Sequence, residues 1–134
     1  MLEERIKSVL TDILDIEPKD IGMETDIIKN LGAESIDLLE IGLSLEREFG
    51  IKVDENKLFL KSFRFYMDEA RQKNLDKIDY LKKRYPFLGE ERIKDLLDDA
   101  RHFIMPSIKV KDLISYVAWM LGRDNKKEKE YKEI

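Results

Sequence analysis

The chain has 134 residues, 43% hydrophobic and 40% charged, with a net charge of −4 and no cysteine. That length supports one modest core, and the apolar content is too high for a disordered chain. The composition excludes disulfides, thiolate nucleophiles and cysteine metal sites, the negative balance argues against nucleic acid, and no apolar run approaches the ~20 residues of a membrane span.

Near the N-terminus Glu3, Glu4 and Arg5 interrupt any signal-like pattern, so a cytoplasmic protein is expected. Leu2, Ile6, Val9, Leu10, Ile13 and Leu14 share one helical face, which predicts a first helix ending near Asp15, ahead of Pro18. A long loop over 16–34 follows and contains Asn30 and Gly32. From Ser35 the apolar positions Leu38, Ile41, Leu45 and Phe49 repeat at helical spacing until Gly50 stops them. Ser35 therefore stands where loop becomes helix.

Between Asp54 and Ile108 the sequence predicts further helices. One carries Phe59, Phe63, Tyr66, Met67 and Ala70, a second Ile78, Leu81 and Tyr85, and Pro86 and Gly89 then break the chain. A third is expected from Glu90 to about Ile104, with Ile93, Leu96, Leu97, Ala100 and Ile104 at core spacing and Pro106 at its exit. The rings of Phe59, Phe63, Phe65 and Tyr66 read either as the lining of a pocket or as a seal onto the rest of the core, the usual fate of aromatic stripes. Val110, Leu113, Ile114, Val117 and Leu121 form the stripe of a last helix, with Tyr116 and Trp119 beside it. The remainder, 126–134, is charged and expected to fray.

The segment Leu31-Gly32-Ala33-Glu34-Ser35-Ile36-Asp37-Leu38, followed by an amphipathic acidic helix and Phe49-Gly50-Ile51-Lys52-Val53, resembles the signature of acyl carrier proteins. Glu34 and Ile36 stand where that family usually has Asp and Leu, keeping the chemical type. The resemblance implies an all-α fold, a four-helix bundle of the acyl-carrier kind with additional inserted helices, in one domain over 1–125 with the insertion at about 56–105. It also implies that Ser35 is esterified by 4′-phosphopantetheine from coenzyme A, whose thiol holds acyl groups as thioesters. The absence of cysteine suits such a carrier, because the reactive thiol then belongs to the prosthetic group.

The resemblance further implies a non-catalytic protein, expected to be a monomer, that serves a phosphopantetheinyl transferase and acyl-loading and acyl-transfer enzymes of fatty acid, specialised lipid or polyketide biosynthesis. Acids on the helix after the serine would dock basic patches on those enzymes, and Glu34, Asp37, Glu40, Glu46 and Glu48 are the candidates. Residues 22–54 carry eight acids and three bases, a net of −5, whereas 55–105 carry ten acids and twelve bases, a net of +2. Taken alone, a serine just before an apolar helical run is most often only a helix cap, and it is the whole run around Ser35 that favours attachment; an unmodified helical interaction module is the alternative.

Catalysis finds little support. The only histidine, His102, sits in no motif, the serine lacks a Gly-x-Ser-x-Gly elbow, and no nucleotide loop or calcium loop occurs.

Overall fold

A computed structural model describes residues 2–102 and 104–132, with 124–132 given by backbone alone. Seven α-helices occur among the described residues: α1 (Leu2–Leu14), α2 (Ser35–Phe49), α3 (Glu55–Leu58), α4 (Phe63–Gln72), α5 (Lys77–Arg84), α6 (Glu90–Arg101) and α7 (Val110–Lys132). The only extended pairing described is an isolated bridge between Asp26 and Lys109. The fold is thus all-helical, with helices beyond those of a simple four-helix bundle.

Each of the first two helices ends at a backbone reversal. Asp15 closes α1 in the left-handed region (φ 53°), and Gly50 closes α2 there (φ 63°) while donating its N–H to the Glu46 carbonyl. Helix α1 packs on α2 and α7, α2 also meets α7, and the short α3 leans on α7. The inserted helices pack in sequence, α4 on α5 and α5 on α6. Ile6, Leu10, Ile41, Leu45, Leu113 and Val117 share one continuous hydrophobic cluster with Phe63, Leu81, Tyr85, Ile93 and Leu96 of the inserted segment.

Two expectations are corrected. The periodicity through Phe59 and Ala70 predicts one helix, but the chain forms α3 and α4, separated at Leu60, which lies in the left-handed region (φ 55°). Leu58, Phe59 and Leu60 are all buried. In a regular helix such neighbours point about 100° apart, so one face cannot hold all three. Helix α6 stops at Arg101, short of Ile104, which is exposed. There the N–H groups of His102 and Ile104 both turn to the Asp99 carbonyl, redirecting the chain toward Ser107 and Ile108, which are buried. The backbone of α7 runs to Lys132, in keeping with the helix propensity of its Lys and Glu residues; 133 and 134 lie outside the described residues.

Aromatic rings tie the inserted helices to α7. Tyr85 meets Phe63 (6.0 Å between centroids), Tyr66 (5.9 Å) and Phe87 (6.2 Å), and Phe87 in turn meets Tyr116 edge-on at 5.0 Å and Trp119 at 6.0 Å. Phe59 and Phe63 are buried as a seal requires, while Phe65 stands in solvent.

A second tie is polar. Arg92 of α6 is buried and reaches Asp112 of α7 through two nitrogens, Nε at 2.9 Å from Oδ1 and Nη2 at 2.8 Å from Oδ2. Its Nη2 also donates to the Ser107 carbonyl (2.8 Å) and hydroxyl (2.9 Å).

Candidate functional site

Ser35 is the first residue of α2 and is exposed. The N-cap is its neighbour Glu34, with extended backbone, and Asp37 reaches back to accept the Glu34 N–H at 2.8 Å. The reading of Ser35 as a cap is therefore corrected. Its hydroxyl has no hydrogen-bond partner among the described residues, which leaves it available to react.

The loop that delivers this serine is held by a chain of local bonds. Asp26 is buried, and its Oδ1 accepts from the N–H groups of Ile28 (2.8 Å) and Lys29 (3.0 Å), while Asn30 Oδ1 accepts from the Asp26 N–H (2.8 Å). Gly32 takes a positive φ of 72°, a conformation that costs a glycine little, and the next N–H, of Ala33, returns to the Ile27 carbonyl at 3.0 Å. The loop is also stitched to the chain returning from the insertion. Ile27 donates to the Ile108 carbonyl (2.9 Å), Val110 donates to the Thr25 carbonyl (3.0 Å), and Lys109 and Lys111 both clasp Glu24, at 2.7 and 2.6 Å. Hydrogen bonds from these two ammonium groups lower the Glu24 carboxyl from its ordinary value of 4.5 to about 2.

A helix start presents first-turn N–H groups that have no partner within the helix, together with the positive end of the helix dipole. A phosphodiester on the Ser35 oxygen would meet both. The donor set here thus accommodates a phosphate-linked group.

The five acids expected to dock partners are not equivalent. Glu34 and Glu40 are exposed and lie toward the serine end of α2, and Asp37 is half-buried in its capping role. Glu46 accepts the Val53 N–H at 3.0 Å, and Glu48 pairs with Arg5 at 3.0 Å, so both carry structural bonds at the far end. The sequence reading did not single out a second apolar stripe on α2. Ile36, Leu39 and Leu43 are 64, 47 and 49% exposed and form one line beside Glu40. Their i, i+3, i+7 spacing was the available signal, hidden because α2 carries apolar residues on two faces.

Beside Leu38, one turn on from Ser35, opens a cavity of about 420 Å³. Its wall is mostly apolar, with Phe59, Leu60, Pro106 and Ile108 contributing, and Lys29, Lys61 and Arg64 also border it. His102 is exposed, its Nδ1 2.9 Å from the Asp98 carbonyl, and takes no part in the site.

An all-helical fold with an exposed serine at the head of an acidic helix is the arrangement that the resemblance to acyl carrier proteins implies. Comparison with known proteins agrees. Residues 4–62 match the family described as the phosphopantetheine attachment site. The acyl carrier proteins of two strains of Nitratidesulfovibrio vulgaris, DP4 and Hildenborough, are each 33% identical over 55 residues, covering 41% of this chain and 72% of theirs. The chain belongs to the acyl carrier protein family, whose prosthetic group is a covalently attached 4′-phosphopantetheine. Members of this family are in general carriers rather than enzymes and work with a phosphopantetheinyl transferase and acyl-handling enzymes. Helices α4 to α7 lie beyond the matched residues. Among the described residues, no helix is long and apolar enough to cross a membrane.

Proposed function

We propose that Ser35 is the residue that carries the 4′-phosphopantetheine arm, and that this protein is a non-catalytic, monomeric cytoplasmic carrier of acyl intermediates in fatty acid, specialised lipid or polyketide biosynthesis. The observation that carries this reading is the Ser35 hydroxyl, exposed and unpartnered at the head of α2 inside the matched attachment region. The arm supplies a thiol that holds the acyl group as a thioester. The chain supplies the rest. The pinned loop 26–33 fixes where the serine sits, and the start of α2 stabilises the phosphodiester charge. The Ile36, Leu39 and Leu43 stripe, bordered by Glu34 and Glu40, presents an apolar contact with an acidic margin to enzymes bearing basic patches. The cavity beside Leu38 lies close enough along α2 to shelter the near part of a bound chain. Residues 1–125 act as one domain, with the inserted helices packed into the shared core.

Incubation with coenzyme A and a phosphopantetheinyl transferase, read by intact mass and peptide mapping, tests the assignment. A mass gain on the peptide containing Ser35, absent in Ser35→Ala, is expected. Because the hydroxyl has no hydrogen-bond partner among the described residues, Ser35→Ala should alter stability by no more than about 0.5 kcal/mol. Modification of Ser35→Ala would refute the site, and a folded wild-type chain that gained no mass would leave the interaction-module reading.

A further inference from the structure

The cavity of about 420 Å³ beside Leu38 joins the serine loop to parts of the chain that the family match does not reach. The left-handed turn at Leu60 puts Phe59, Leu60 and Lys61 on its wall and lets α4 add Arg64. The chain returning from α6 adds Met105, Pro106 and Ile108. Arg64 and the 105–108 segment lie outside the matched residues 4–62, so this side of the wall is set by the inserted helices and the strand of chain that follows them.

Two kinds of surface meet there. Phe59, Leu60 and Ile108 are buried and apolar, whereas Ile28 and Met105, which also border the cavity, are 40 and 69% exposed. Lys29, Lys61 and Arg64 border the same space against a single carboxylate, that of Asp26, whose Oδ1 is already taken by the N–H groups of Ile28 and Lys29. Lys61 is drawn to Glu55 at 3.6 Å, but neither Lys29 nor Arg64 enters an ion pair among the described residues. An occupant that covers the apolar side chains and also answers these two cations carries both an apolar stem and an anionic group. A plain hydrocarbon chain would satisfy only the first.

We infer that the cavity selects an acyl cargo whose far end is a carboxylate, a dicarboxylic acid joined to the arm through one of its two carboxyls, and that Arg64 and Lys29 distinguish it from a plain fatty acyl chain. The inference rests on attachment of the arm at Ser35. Leu38 brings the cavity within one helical turn of that serine, and a flexible arm folds back to deliver its thiol end there. The methylenes of the cargo lie along Phe59, Leu60 and Ile108. Its carboxylate stays at the exposed guanidinium and ammonium groups, where it is paired without being stripped of water. A guanidinium presents a fork of donors that matches both carboxylate oxygens, which makes Arg64 the stronger of the two. The volume falls within the range of about 300–1,000 Å³ found for small-molecule sites.

The test loads the full chain from hexanoyl- and from adipoyl-coenzyme A, using a phosphopantetheinyl transferase that accepts acylated coenzyme A. The two acyl groups match in length and differ in the far carboxylate. Cleavage of each thioester by hydroxylamine is followed by intact mass, and the same two thioesters of free pantetheine give the rate ratio intrinsic to the acyl groups. Relative to that ratio the adipoyl form should be protected by up to about fivefold for each cation engaged, the yield of an exposed ion pair. Amide shifts at 59–64 and 105–108 should be larger for adipoyl than for hexanoyl. Lys29→Gln/Arg64→Gln, or Arg64→Gln alone should the double variant fold poorly, should move the ratio back toward the intrinsic one, as should sodium chloride at about 1 M in the wild type. Absence of any mass gain on the Ser35 peptide would overturn the attachment reading and this inference with it. Loading at Ser35 without excess protection of the adipoyl form, or protection undiminished in the variants, would overturn this inference alone.

Discussion

Replacing Asp112 by alanine should be among the most damaging single changes in the molecule. Arg92 is only 7% exposed, and Asp112 provides both oxygens that balance its charge; what would remain is the Ser107 carbonyl and hydroxyl. Its Nη1 already has no partner, so the truncated site would hold a buried guanidinium with one nitrogen bonded only to neutral groups. Breaking a buried pair from one side costs about 3–5 kcal/mol. A further ~0.5–2 kcal/mol follows because Asp112 Oδ2 also accepts the Lys109 N–H (2.9 Å) at the start of α7. Native domains are stable by about 5–15 kcal/mol, so the variant should be near unfolding at ambient temperature. Urea denaturation followed by circular dichroism measures the loss, with an unchanged m-value expected if the folded and unfolded states keep their compactness. The double change Arg92→Met/Asp112→Leu should recover most of the stability, because it removes the orphaned charge. A loss below about 1 kcal/mol in Asp112→Ala would show that water reaches the guanidinium and that the argument from burial is wrong.

Glu40 is exposed, so Glu40→Lys should leave the melting temperature unchanged while slowing loading by the transferase, with a penalty that shrinks as salt shortens the Debye length from about 10 Å at 0.1 M. Equal rates at low salt would remove Glu40 from the docking face. The Glu24 carboxyl, lowered to about 2 by its bonds to Lys109 and Lys111, stabilises the fold at pH above its ordinary value of 4.5 and loses that contribution as the pH falls toward 2. The side chain is two-thirds exposed, so screening should keep the effect below about 1 kcal/mol, visible as a shallower acid limb in Glu24→Gln melts. Replacing 56–105 by a flexible linker should abolish the cooperative melt, because Phe63, Tyr85 and Ile93 belong to the same core cluster as α1, α2 and α7; a cooperative transition in that variant would show the inserted helices to be dispensable for folding.

The position of Ser35 was legible because its signals are local. Gly32 supplies a turn, Asp37 stands where it can reach back to the helix start, and the spacing of Ile41 and Leu45 faces one side of α2 inward. All of this lies within a few turns of chain, where backbone geometry alone relates residues to one another. The break at Leu60 was not legible, since residues 58–60 are apolar in a way that suits either a helix or a turn, and only the shape of the surrounding core chose the turn. The charged residues divide the same way. In the sequence Arg92, Glu46 and Glu48 look like any solvated helix residue, yet the fold buries Arg92 against Asp112, spends Glu46 on the Val53 N–H and pairs Glu48 with Arg5. Periodicity determines which face of a helix is apolar, but whether a charge is solvated or buried depends on what packs over it, and that is decided only when distant segments close on one another.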